Sequence, residues 1–216
     1  MNLAIPRYNT NTMPTAILET PAQDSFVSAR RKIWTRAECE LLASLEPFQS
    51  QSLELIEGEL INRMGKGTLH TAIVAMLLEL LAGVFGLSFV IQEPAIDVSP
   101  EDNPTSEPQP DLVVVSAKAS SFARRRPGPV DIRLLVEVAD SSLSFDRSIK
   151  AGLYARAGIA DYWVVDVRNR RIIVHRDPLD GRYGSVLTYA VGEEIAPLAA
   201  PEFRVQVGTA FPDLVN

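Results

Sequence analysis

The sequence predicts an α/β fold, a β-sheet flanked by helices, and three observations predict it. Residues 112–115 and, apart from Arg133 and Glu137, 132–138 are apolar runs, the pattern of strands buried on both faces. After Thr68, the side chains Leu69, Ile73, Met76, Leu77, Leu80 and Leu81 recur at intervals of three and four, which marks a core helix. Turn signals at Gly58 and at Arg168–Asn169 each separate two short apolar segments and so predict hairpins.

Taken in order, residues 1–24 are rich in Asn, Thr and Pro without a sustained apolar period and read as a flexible N-terminal arm before a single domain over residues 25–216. Thr35 and Glu38 form a capping-box pattern, so a short helix carrying Cys39, Leu41, Leu42 and Leu45 is expected, stopping before Pro47. Leu53 and Leu55, then Leu60 and Ile61, flank Glu57, Gly58 and Glu59 as two strands around a tight turn. The helix capped by Thr68 should end near Gly83 or Gly86. Val90 to Val98 reads as a strand with an irregularity at Pro94, and residues 99–110, with four prolines and three acids, read as a loop. Asp111 then opens one central strand and Glu137 nearly closes the next. Ser144 is a plausible cap for a helix over residues 145–157, with Gly158 at its end. Strands at 162–166 and 171–175 follow, and the remainder alternates like peripheral strands. His175 falls in the outer hairpin, where it is expected to be exposed.

Composition narrows the function classes. With 216 residues, 46% hydrophobic and 22% charged, the chain can bury one sizeable core, and the disordered, collagen-like and disulfide-scaffold classes are excluded. A net charge of −6 argues against a surface that grips nucleic acid by overall charge, so any DNA contact must come from a local basic patch. Arg124, Arg125 and Arg126 form one such cluster and Arg168, Arg170 and Arg171 another; a solvated loop and an ordinary hairpin turn explain them more simply. The lone Cys39 excludes an internal disulfide and a Cys-based zinc site and suits a reducing compartment. The longest apolar stretch, 73–87, is broken by Glu79 and too short for a bilayer, and the chain starts without a secretory pattern, so the cytoplasm is expected.

The chemistry concentrates in a stretch where Asp111, Glu137 and Lys150 stand at the ends of apolar segments. Carboxylates at strand ends can hold Mg²⁺ or Mn²⁺ through oxygen, and an acid directly after Leu134, Leu135 and Val136 is costly unless paired or liganding. The competing reading makes Asp111 a turn residue after Pro110 and Glu137 a solvent-facing strand end. Asp146, Lys150 and Tyr154 recur every four residues and share a helix face, so Lys150 is either a phosphate-orienting amine or half of a surface ion pair with Asp146. His70 sits in the first turn of the core helix as a structural histidine, a ligand or a base; Glu59 is a turn charge or a third acid of the site.

The ordered motifs LELIEGELI, a helix opening with His70, PDLVVV, LLVEVADSS, DRSIK, LYARAGI and DYWVVD resemble the Uma-two family of restriction endonucleases, within the PD-(D/E)XK nuclease superfamily, over about residues 35–190. The resemblance implies a restriction-endonuclease-like mixed sheet flanked by helices, with an extra β-hairpin, and Mg²⁺ (or Mn²⁺) as cofactor. It implies that Asp111 and Glu137 are metal ligands in the hydrolysis of DNA phosphodiester bonds. The superfamily lysine two residues after the second acid is replaced here by Ala139, and the family's helix lysine matches Lys150. Glu59 and His70 match positions where family members carry Glu and His, as accessory residues. Arg147 or the loop arginines Arg124–Arg126 would contact phosphates, and a homodimer would place two sites on a duplex. The alternative is a catalytically inactive nuclease-fold module for binding or assembly, which the acidic net charge and the missing strand lysine favour.

Overall fold

The computed structural model describes residues 31–63 and 67–213. The arm expected at residues 1–24 lies outside them.

Helix α1 (Arg36–Ala43) starts where the capping box places it, with the Thr35 N–H donating to the Glu38 carboxylate at 3.0 Å. It stops at Ala43, before Pro47 as expected. Pro47 sits in the first turn of a second short helix, α2 (Glu46–Gln49), where a missing N–H leaves no bond unmade. Strands β1 (Leu53–Ile56) and β2 (Glu59–Asn62) form an antiparallel hairpin. Glu57 and Gly58 both take positive φ between them, the two-residue turn that matches the twist of paired strands.

Helix α3 (Thr68–Phe85) ends at Gly86, whose φ of +87° suits glycine. It starts earlier than the apolar stretch alone suggests, and its 18 residues reach the length and hydropathy of a membrane span. Here it serves as a core helix, with Ile73, Val74, Leu77 and Leu81 buried against one face of the sheet.

The main sheet has six strands in the order β3 (Val90–Gln92), β4 (Leu112–Val115), β5 (Ile132–Ala139), β6 (Asp161–Asp166), β7 (Arg171–Leu179) and β8 (Arg182–Ala190). Every neighbouring pair is antiparallel except β5 and β6, which run parallel with Glu137 opposite Val164. Parallel neighbours need a crossover, and a helix over residues 143–156 supplies it. That helix is not uniform: α4 (Leu143–Phe145) passes through a π turn (Asp146–Lys150) into α5 (Ala151–Arg156). Single π turns widen a helix locally and recur at functional sites. Alternation along the buried strands divides two cores, as the apolar runs require: Leu112 and Val114 face the α3 side, Val113 and Val115 the α5 side. The strand expected to continue to Val98 stops at Gln92. Glu93 turns to φ +52°, and the Ile96 and Asp97 N–H groups bond to Pro108 and Pro127 carbonyls instead of a strand. A small pair, β9 (Glu194–Ile195) with β10 (Val205–Gln206), closes the fold.

His175 corrects an expectation: it is 3% exposed, because β8 pairs along β7 and the Tyr162 and Tyr183 rings pack at 5.1 and 5.5 Å from it. Burial holds its imidazole at a pKa of about 4, below the ordinary 6.5. Between those values the unfolded chain binds the proton and the fold does not, so acidification through that window removes stability. Wild type should therefore lose on the order of 2 kcal/mol more than His175→Gln when urea unfolding is compared at pH 7 and pH 4.5. Asp146, raised to about 6 by burial, acts in the opposite direction but is common to both proteins. Equal losses in the two proteins would remove the assignment.

Candidate active site

Strand ends, hairpin and π turn converge on one cleft of about 390 Å³, bordered by Glu54, Arg63, His70, Asp111, Glu137, Asp146 and Lys150 among others. The pairing of β4 with β5 sets its floor. Leu112 lies opposite Val136, so Asp111 falls beside Glu137 and Val138, and the Val138 N–H donates to Asp111 Oδ2 at 2.8 Å. His70, one turn into α3, brings Nε2 to 3.2 Å from the same oxygen, and Arg63 reaches Oδ1 at 3.3 Å.

Glu137 is held from the crossover helix. Lys150 Nζ and Tyr154 Oη both donate to its Oε1 at 2.9 Å, and its Oε2 takes no hydrogen bond among the described residues. Lys150 also donates to Glu54 Oε1 at 2.8 Å, so one amine bridges two carboxylates. Glu54 is tied in turn by the Gln109 N–H at 2.8 Å. The competing reading, with Glu137 facing solvent and Lys150 in a surface ion pair, is overturned: each is 4% exposed, because β1 and the helix close over them. The surface ion pair between Lys150 and Asp146 does not form; Asp146 instead accepts from Ser142 Oγ at 2.5 Å.

The electrostatics follow from burial. Four carboxylates, on Glu54, Asp111, Glu137 and Asp146, are each at most 4% exposed and border the same cleft. Burial pushes the Glu137 carboxyl above the ordinary range, while the Lys150 charge pulls it back. For Lys150, burial would lower the amine, but the fields of Glu137, Glu54 and Asp146 outweigh it and keep it protonated. Tyr154 is raised by burial and the nearby carboxylates, so its hydroxyl stays a donor.

Glu59 is exposed at the start of β2 and does not line the cleft. Arg147 is exposed and opens onto a different hollow. Arg124, Arg125 and Arg126 also lie away from the cleft. Arg125 grips Asp131 at 2.6 and 2.9 Å, and Arg126 reaches Glu107 at 2.9 Å. Sequence reasoning missed Glu54 as a site residue. Between Leu53 and Leu55 it looks like the outward position of an alternating strand, and only the packing of the hairpin against Lys150 turns it inward. Arg63 was missed for the same reason, since one arginine after a strand carries no pattern.

Among the described residues no three or more His, Cys, Asp or Glu form a ready metal cage. The donor set nevertheless fits a hard, hydrated divalent ion, which takes one or two carboxylates and keeps several waters. Asp111 and Glu137 are oxygen donors side by side, Glu137 has an unengaged oxygen, and four acids face the guanidinium of Arg63 and the amine of Lys150.

A family model described as Uma2, putative restriction endonuclease, matches residues 39–208. No curated protein matches the chain. Among solved structures, the crystal structure of a putative nuclease belonging to DUF820 from Anabaena variabilis ATCC 29413 superposes with a TM-score of 0.60 at 17% identity. The match covers 82% of this chain and 97% of that one, a likeness of fold.

Proposed function

The chain belongs to the Uma2 family of nucleases, and from that premise we propose that it is a divalent-metal-dependent endonuclease hydrolysing DNA phosphodiester bonds in the Asp111–Glu137–Lys150 cleft. The observation that carries this reading is the state of Glu137: one carboxylate oxygen pinned by Lys150 and Tyr154, the other unengaged, beside Asp111 in an acid-rich cleft.

Asp111 and Glu137 would hold the ion. When bound, such an ion neutralises phosphate charge and lowers the pKa of a water toward neutrality. Lys150 has three N–H donors and spends two on Glu54 and Glu137, which leaves one to orient a phosphate oxygen and to offset charge as the bond breaks. Glu54 and Tyr154 act by positioning, Glu54 on the amine and Tyr154 on the carboxylate. His70 and Arg63 do the same for Asp111. Two copies related by a two-fold axis would suit cutting both strands. An inactive scaffold is the competing reading because Ala139 stands where the strand lysine would be. Against it, Lys150 delivers an amine to within 2.9 Å of Glu137 from the neighbouring helix.

Calorimetric titration of Mn²⁺, which occupies Mg²⁺-type oxygen sites, tests the metal centre without relying on activity. Wild type should bind about one ion, with binding weakened about 10- to 100-fold or more in Glu137→Gln and in Asp111→Asn. Equal binding in all three proteins, or none in wild type with or without a DNA duplex, would refute the assignment.

A further inference from the structure

The π turn that supplies Asp146 and Lys150 to the cleft presents its other side to a second hollow. Arg147, Ser148, Ala151 and Gly152 line it from the helix, and His175, Gly181, Arg182 and Tyr183 from β7 and β8. Its volume is about 470 Å³, and no acid lines it. Arg156, further along the same helix, is tied to Asp102 and Glu57, and Arg176 on β7 to Asp161. Arg147 and Arg182 make no ion pair or hydrogen bond among the described residues. The wall also contains a buried polar group without a partner: His175 Nδ1 finds no hydrogen bond among the described residues. Gly181, at φ +73° in the turn before β8, lets the hairpin approach Gly152, whose Cβ would lie 3.9 Å from the Gly181 carbonyl.

We propose that this hollow is a phosphate subsite, in which Arg147 and Arg182 take a backbone phosphate of the nucleic-acid strand whose scissile phosphate lies at Lys150. This rests on the nuclease reading and extends it to substrate placement.

The test is fluorescence anisotropy with a 16-base-pair duplex across a salt series, with Mn²⁺-dependent cleavage of the same duplex followed in parallel. Wild type is compared with Arg147→Ala/Arg182→Ala and with Arg204→Ala, an exposed arginine that lines neither cavity. Both subsite arginines are exposed, so the double variant should keep its fold. It is expected to bind about ten-fold more weakly at low salt, with the slope of log K against log salt smaller by about one, while Arg204→Ala stays near wild type. Unchanged affinity and slope in a double variant that still cleaves would overturn the subsite and leave the nuclease reading standing. A weakened double variant of a wild type that binds but never cleaves would support the subsite and overturn the catalytic reading. A wild type that neither binds nor cleaves overturns both.

Discussion

Lys150→Met should lower folding stability by about 3–5 kcal/mol, the usual cost of removing one partner from a buried charge group. The amine donates to Glu54 and Glu137 at 2.8 and 2.9 Å, with 5% of its side chain exposed, and methionine leaves both carboxylates in a low-dielectric site without that cation. The deficit should depend on pH with a definite sign. A carboxyl whose folded pKa lies above its unfolded value binds more protons in the fold, so its burial costs more as pH rises through that window. Without Lys150 the carboxyl of Glu137 rises further, so the variant should be closer to wild type at pH 5 than at pH 8. Adding Glu137→Gln removes one of the stranded charges and should restore part of the loss, a coupling that a double-mutant cycle in urea measures. Unfolding free energies within about 0.5 kcal/mol of wild type at pH 8 would contradict the buried-pair geometry.

Glu137→Gln alone should leave the protein folded and reduce metal-dependent DNA cleavage by about 100-fold or more. The amide oxygen can still accept from Lys150 and Tyr154, as Oε1 does now. The NH₂ replacing Oε2 presents hydrogens where a cation needs an oxygen lone pair. Loss of cleavage together with loss of Mn²⁺ binding and an unchanged thermal transition would place the defect in the site rather than the fold. Full cleavage by this variant would end the assignment of Glu137 as a ligand.

On the proposed reading, Lys150 would stand in for the strand lysine. Position 139 lies in β5 with its side chain 0% exposed in the α5-side core, and alanine suits it. An amine arriving from the helix reaches Glu137 without breaking that core, and the π turn sets its approach beside Asp146.

Much of this was legible from local pattern. The Thr35–Glu38 cap, the Gly58 hairpin, the α3 periodicity and the apolar runs of β4 and β5 are each decided by neighbours within a few residues, through capping, turn geometry and alternation. Asp111, Glu137 and Lys150 were legible for a related reason: charges at the ends of apolar segments must be delivered to an edge of the core. The π turn, the burial of His175 and the inward turn of Glu54 were not. Each depends on residues far along the chain: Tyr183 and β8 over His175, and Lys150 against Glu54. Local sequence decides which backbone hydrogen bonds a segment can make. Which polar side chains lose their water, and which charges must then answer one another, is decided only when distant segments pack together.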